Sequence, residues 1–213
     1  MIRHGPNPFA LRNFVLRLVF FAAILLALGR VFAIPLVTPL LPAFGWLIEA
    51  YDNRFRVDSL SIATRKAGTM IESKIRSVGV IIVDRQRALY PDAKLVFTPS
   101  ALVGSVLQPI ILLLSIVLAW PLASGWALTL RLLLSAPMIL FLLGINFPLG
   151  LIGAMLDFRE ILPSAPIHPM VYWNDFLQTG GPLALAAAGG VLVVSSADAM
   201  ARQWFRLQPE SKS

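Results

Sequence analysis

The sequence predicts a polytopic α-helical membrane protein with about four transmembrane helices. A small β-containing extracytoplasmic module is predicted between the first and second spans. Of the 213 residues, 57 % are apolar and 14 % are charged, and the mean hydropathy is +0.77. Globular chains are roughly 45–50 % apolar and about 25 % charged. The apolar residues also form charge-free runs near the roughly 20 residues that a helix needs to cross a bilayer.

Composition excludes several classes of protein. The chain has no cysteine, which excludes a thiol nucleophile, a thiolate zinc site and cysteine-ligated iron–sulfur clusters. The formal net charge of +7 is spread along a hydrophobic chain and forms no basic tract, so no nucleic-acid partner is expected. Membrane lipids and other integral membrane proteins are the expected partners.

The first span is predicted at residues 14–36, after a cytoplasmic tail at 1–13. Pro35 and two further prolines soon after it argue against a straight helix, because proline lacks an N–H and clashes with the preceding turn. Residues 37–48 are therefore predicted as an irregular apolar segment in the membrane interface.

Residues 49–98 hold nine Lys or Arg and six Asp or Glu, about half of all charges in the chain. Leu60 and Ile62 alternate with polar residues, and 78–83 is a β-branched run, so strands are predicted there. The stretch 70–78 also fits one face of a short helix, and its assignment stays open. A module of about 50 residues is near the lower size limit for independent folding, so we expect it to lean on the membrane or on a partner.

Three further spans, a loop and an amphipathic tail complete the chain. In order they are a span at 100–120, a span at 126–150, an extracytoplasmic loop at 151–179, a span at 180–197 and a cytoplasmic tail at 198–213. Arginines in both terminal tails, against one arginine in the loop, predict that both termini are cytoplasmic. The chain is therefore predicted to cross a membrane several times.

Charged side chains supply the first candidate contact residues. Arg30 lies within the first span, where it either snorkels outward or pairs with a carboxylate of a partner. Arg131 is near the cytoplasmic end of the third span and is expected to snorkel to the surface. Arg65 and Lys66 of the module are candidates for contact with lipid head groups or an acidic partner, the alternative being a solvated face.

Small and aromatic residues supply the rest. Ala186 and Gly190 lie in an unusually small-sided fourth span, and small residues four apart allow close helix packing against neighbours or a partner. Trp204 lies on the apolar face of the tail and is expected to anchor it in the interface. For the amides Gln108 and Asn146, one hydrogen bond between helices each is the expected explanation.

A search for a reaction centre finds no recognised arrangement. His168 lies in a proline-punctuated loop, without the spacing of a metal site, and a structural or interfacial role is expected for it. No serine lies in a nucleophile motif. The predicted spans contain no Asp, Glu or His, the residues that proton-coupled transport would be expected to use. The sequence therefore predicts no catalytic, metal or cofactor-binding residue, and a protein that is not an enzyme.

The layout resembles the small integral membrane proteins associated with bacterial exosortase systems. The most specific part is an Asn-x-Phe-Leu-x-Thr-Gly-Gly pattern before the last span, formed by Asn174, Phe176, Leu177, Thr179, Gly180 and Gly181. The resemblance implies an inner-membrane accessory of protein sorting or surface-polysaccharide export in Gram-negative bacteria. It does not imply the sorting enzyme, which uses a cysteine.

The sequence thus leads to the hypothesis of a non-enzymatic accessory or scaffold subunit in a cell-envelope protein-sorting or export complex. It would bind partners through the module and the fourth span. The alternative is a small transporter or lipid-handling subunit in which Arg30 contacts an anionic substrate.

Overall fold

The computed structural model describes residues 8–66, 68–84, 87–90, 96–121, 125–157 and 167–207, without the side chains of 8–10, 82–87, 89 and 204–207. Within these ranges the chain forms helices and short strands. In chain order they are α1 (Pro8–Val37), α2 (Leu41–Tyr51), β1 (Phe55–Arg65), β2 (Gly68–Ser77), β3 (Ile81–Asp84), β4 (Arg87–Leu89), β5 (Val96–Phe97), β6 (Ser100–Leu102), α3 (Val103–Ala119), α4 (Gly125–Met155), α5 (Pro169–Gln178) and α6 (Gly181–Leu207).

Among the described residues, three helical stretches are long and apolar enough to cross a membrane: Leu11–Tyr51, Gly125–Met155 and Gly181–Gln203. Helix α3 is equally apolar but has 17 residues, the lower end of the range of about 17–25 for a spanning helix. The predicted class, a mainly helical chain with membrane-type helices and a small antiparallel sheet, agrees with the structure. The number of spans stays a prediction.

The segment 37–48 is helical, and the prediction of an irregular segment is wrong. After α1, a single 3-10 turn at Thr38–Leu40 leads directly into α2. Pro39 and Pro42 lie in the first two positions of the 3-10 turn and of α2, where the missing N–H would have had no helical partner. Pro39 and Pro42 therefore start new turns, Pro35 lies inside α1, and none of the three breaks the helical path.

Two other predicted boundaries change. Ser100–Leu102, predicted as the start of the second span, is a strand paired with β2, and the helix begins at Val103. The fourth span and the tail predicted at 198–213 are one element, because α6 continues without a break to Leu207. The predicted loop at 151–179 contains the end of α4 and all of α5, while residues 158–166 lie outside the described part of the chain.

The module contains an antiparallel sheet in the order β1-β2-β5, with β6 also paired to β2 on the side of β5. The open assignment of 70–78 is settled for the most part as strand, since β2 runs to Ser77. The β1–β2 register runs from Phe55 opposite Ser77 to Arg65 opposite Gly68. Gly68 has φ +125° at the hairpin turn, a conformation that favours glycine.

The sheet and the helices share one hydrophobic core. Buried Phe55 and Ile71 of the sheet belong to the same cluster as Phe44 of α2 and Phe147 of α4. The ring centroids of Phe44 and Phe147 are 4.8 Å apart. The module therefore leans on the chain's own helices. We call the end of the helix bundle that carries the sheet the sheet end; it holds the starts of α3 and α6 and the end of α4. At the opposite end Phe14 contacts Trp120.

Candidate functional site

A cavity of about 480 Å³ lies at the sheet end, between β6, α3, α4, α5 and the start of α6. This volume is within the range of small-ligand pockets, about 300–1,000 Å³. Its polar side chains are hydroxyls and amides, and we call it the amide cavity. They are Ser100, Ser105, Gln108, Asn146, Asn174 and Gln178.

A proline explains why an amide is needed at position 146. In a helix the carbonyl of Ser105 would accept from the N–H of residue 109, but Pro109 has none. Asn146 of α4 supplies the missing donor, with Nδ2 3.2 Å from the Ser105 carbonyl oxygen. The predicted interhelical hydrogen bond is therefore confirmed for Asn146. Gln108 lines the cavity and, within the described part of the chain, makes no such bond.

Asn174 is the most enclosed amide of the cavity. Its residue is 6 % exposed, and no side-chain hydrogen bond joins it to any other described residue. Glycines hold α5 close to α4 here: a Cβ on Gly153 would lie 2.5 Å from the Met170 carbonyl oxygen and 2.6 Å from the Asn174 Cβ. Asn174 lines the open cavity, and its amide is not sealed from water: in the described part of the chain, the fully enclosed side-chain polar atom without a partner is Trp173 Nε1. The Asn174 amide is therefore suited to pair with a group that enters the cavity and displaces water.

The turn between α5 and α6 completes the wall of the cavity. Gly180 has φ +103°, and a Cβ on Gly181 would collide with the ring of Phe176. The carbonyl of Gly180 accepts from the N–H groups of Leu183 and Ala184, 3.0 and 3.1 Å away. The pattern that the sequence singled out from Asn174 to Gly181 therefore has two structural roles. It forms a tight helix–helix corner and presents Asn174 and Gly180 to the cavity.

Chemically, the amide cavity can donate and accept hydrogen bonds but has no acid or base in its described lining. Amides and hydroxyls keep their protonation state across physiological pH. The cavity is therefore suited to neutral polar groups that carry both donors and acceptors. The hydroxyl of Ser105 already donates its proton to the Leu102 carbonyl at 2.7 Å, so it can offer a ligand only an acceptor.

A buried ion pair lies at the opposite end of the bundle. Arg131 is completely buried, so the expected snorkelling is wrong. Its Nη2 is 2.7 Å from Asp198 Oδ1 of α6, and the guanidinium also donates to the carbonyls of Trp120 and Pro121 at 3.1 and 2.9 Å. One side chain of α4 thus satisfies orphan carbonyls at the end of α3 and a carboxylate of α6.

A second polar group lies beside the sheet, where Asp52 and Arg54 form a bidentate pair. Burial would raise the pKa of Asp52, but hydrogen bonds from the Arg54 side chain and backbone outweigh it and lower that pKa. Burial, followed by the positive charge of Arg54, lowers the pKa of His168. The Nδ1 of His168 accepts from the Met170 N–H at 3.2 Å and caps α5, which is a structural role of the kind expected.

The predicted contact residues do not converge on one site. Arg30 is exposed on α1, and Lys66 is exposed at the β1–β2 turn. Arg65 is exposed and pairs with Glu72. Trp204 lies in α6, but its side chain is outside the described part.

The small residues of α6 are used within the chain. Ala186 is fully buried, and a Cβ on Gly190 would lie 3.1 Å from Ile116 of α3. Of the two readings offered by the sequence, packing against neighbouring helices is the one that these contacts match, and both residues are inaccessible to another protein here.

Comparison of the chain with known protein families, curated proteins and solved structures finds no match. The geometry of the described residues therefore carries the functional argument.

Proposed function

We propose that the chain is a non-enzymatic, multi-pass accessory subunit of a cell-envelope protein-sorting or export complex, and that it binds its partner at the sheet end. The observation that carries this proposal is the amide cavity. Asn174 is 6 % exposed, and its amide lines the cavity without a hydrogen-bond partner among the described residues. An incoming partner would supply the missing hydrogen bonds.

The chemistry of the lining supports binding over reaction. General acid–base catalysis uses groups whose pKa lies near the working pH, whereas the polar side chains in the described lining are hydroxyls and amides. Hydrogen bonds from such neutral groups give orientation and specificity to a ligand without changing it.

The charge distribution supports an extracytoplasmic sheet end. Arg12 and Arg17 of α1 and Arg202 of α6 lie toward the end of the bundle opposite the sheet. Lys and Arg are enriched in short segments that remain on the cytoplasmic side, whereas a folded module such as 49–98, with nine Lys or Arg, can be translocated largely regardless of its charge. A partner reaching the amide cavity would therefore come from the outer side of an inner membrane.

The alternative, a transporter or lipid-handling subunit that uses Arg30, has no comparable support. Arg30 is exposed on the outer surface of α1 and does not line the amide cavity. Substrate-dependent protection of Arg30 against chemical modification is the observation that would favour it.

Site-specific photocrosslinking in the native membrane tests the proposal. The photoreactive residue p-benzoylphenylalanine would replace Gln178 at the cavity or Trp46 of α2 at the sheet end, both exposed. We expect a discrete protein adduct from one or both positions. Leu140 of α4 is 68 % exposed and serves as the control position, where we expect lipid adducts only.

Two outcomes would contradict the proposal. One is the absence of any protein adduct at the sheet end in cells that express the chain at its natural level. The other is Arg30 protection by a small anionic substrate together with a monomeric, partner-free protein in gentle detergent.

A further inference from the structure

The strand β6 has a free edge at the amide cavity. Among the described strands it pairs with β2 alone, with Ala101 opposite Ile71, so its other edge has no strand partner within the described part of the chain. On its other side, Ser100 and Ala101 line the cavity, across from α4 and α5. An unpaired strand edge presents N–H and C=O groups that can pair with another extended chain.

The register identifies which backbone groups are presented. The N–H of Ser73 donates to the Pro99 carbonyl at 3.2 Å. In an antiparallel ladder the hydrogen-bonded pairs recur at every second residue, so Ala101 directs its backbone groups toward β2. The N–H and C=O of Ser100 therefore point away from β2, on the side of the cavity.

The amides opposite this edge complement a peptide group. An Asn or Gln side chain offers one carbonyl and one NH₂, which match the N–H and C=O of a backbone. Asn174 is buried and unpaired among the described residues, and Gln178 lies one helical turn further along α5 at the rim of the cavity. Both line the same cavity as Ser100, so a peptide that enters it would meet these amides as well as the strand edge.

We propose that the amide cavity binds an extended, uncharged segment of the partner protein, which adds as a strand to the free edge of β6 and pairs with Asn174. This inference rests on the proposed function. Strand addition of this kind obtains affinity from main-chain hydrogen bonds and specificity from alternate side chains.

The lining argues for an uncharged segment. Its polar side chains are neutral, and apolar residues such as Phe147, Leu151 and Leu183 form the remaining walls. A charged side chain entering the cavity would lose its hydration without a countercharge from these residues, which is costly. A phosphate head group would meet no lysine or arginine in the described lining.

The experiment begins with the adduct at Gln178. Mass spectrometry of the crosslinked partner peptide locates the segment that enters the cavity. The chain has no cysteine, so Ser100→Cys introduces a single thiol opposite that segment. We expect disulfides between this thiol and cysteines placed at every second residue of the partner segment, the periodicity of a strand.

Variants of the cavity provide the energetic test. Asn174→Leu should lower the crosslinking yield at Gln178 by at least about tenfold, the effect of roughly 1.4 kcal/mol of binding free energy. Asn174→Ser, which keeps a polar group, should retain more of the yield. Gln203→Leu removes an exposed amide of α6 at the opposite end and should leave the yield unchanged. Equal amounts of folded protein are established for each variant by size-exclusion chromatography.

Several results would overturn the inference. They are a sugar or lipid adduct at Gln178, a charged residue at the crosslinked positions, a disulfide periodicity of three to four residues, or an undiminished yield in Asn174→Leu. If a protein adduct forms at Trp46 and none at Gln178, this inference fails and the proposed function stands. If neither position gives a protein adduct, both fail.

Discussion

Replacement of Arg131 by methionine should destabilise the protein strongly. The guanidinium joins three helices: it extends from α4 and donates to Asp198 of α6 and to the carbonyls of Trp120 and Pro121 at the end of α3. Methionine fills a similar volume and removes all of these hydrogen bonds. It also leaves the carboxylate of Asp198, 23 % exposed, without its countercharge.

The size of the effect follows from burial. Breaking a buried ion pair by removing one partner costs about 3–5 kcal/mol, and the partial exposure of Asp198 places the expected loss near the lower figure. Asp198→Asn should cost less, about 1–2 kcal/mol, because the guanidinium keeps both backbone carbonyls and an amide oxygen can still accept. For Arg131→Met combined with Asp198→Leu we expect a loss smaller than the sum of the single losses, because the stranded carboxylate is gone.

Thermal unfolding in detergent, followed by tryptophan fluorescence, measures these differences. For a chain of 150–250 residues, 1 kcal/mol corresponds to about 2–4 °C in Tm, so Arg131→Met should lower Tm by about 6–12 °C. Arg202→Met removes an exposed arginine of the same helix as Asp198 and should change the stability by less than about 0.5 kcal/mol. Equal Tm values for Arg131→Met and Arg202→Met would refute the reasoning.

Three further predictions concern the sheet end. The lowered pKa of His168 favours the neutral imidazole in the folded state. The stabilisation from His168 should therefore be complete above about pH 6.5 and be lost as pH falls through the folded pKa. His168→Asn keeps a capping side chain, and its Tm should depend less on pH between 7.5 and 5 than that of the wild type. Asn146→Leu should lower the free energy of unfolding by about 1 kcal/mol, and by less in a Pro109→Ala background, where the restored N–H serves the Ser105 carbonyl; equal losses in both backgrounds would contradict this. Gly153→Ala should displace α5 from α4 and abolish the Gln178 crosslink, whereas Gly104→Ala, whose Cβ would meet no atom within 4 Å, should preserve it.

Local patterns predicted much of the fold, because apolar runs and alternation act over short distances. The helices α3, α4 and α6 and the strand at Leu60–Ile62 are elements of this kind. The helical segment 37–48 could not be predicted from the prolines alone. A proline disrupts the helical turn before it but is favoured in the first turn of a helix that starts there. The burial of Phe44 and Ile48 shows that the second effect prevails and the segment is helical.

The sequence alone does not predict that the residues of the candidate site come together. Asn146 and Asn174 are 28 positions apart in sequence, and the third component, Ser100, lies in what was predicted as a membrane span. Strand pairing of Ser100 with β2 is a long-range contact without a local signal. The ion pair of Arg131 has no local signal either, since its carboxylate partner Asp198 lies 67 positions away, beyond the predicted end of the fourth span.

Polar groups at the two ends of the helix bundle differ in whether they have hydrogen-bond partners within the described chain. At the end away from the sheet, the guanidinium of Arg131 satisfies carbonyls of α3 and the carboxylate of Asp198, so this end is closed by groups of the chain itself. At the sheet end, the same helices leave the buried amide of Asn174 and one edge of β6 without partners among the described residues. Hydrophobic packing stabilises both ends, through the core shared by the sheet and the helices and through the core of α3, α4 and α6. If the proposed function holds, substitutions at Asn174 should change partner binding with little loss of stability, whereas those at Arg131 should do the reverse.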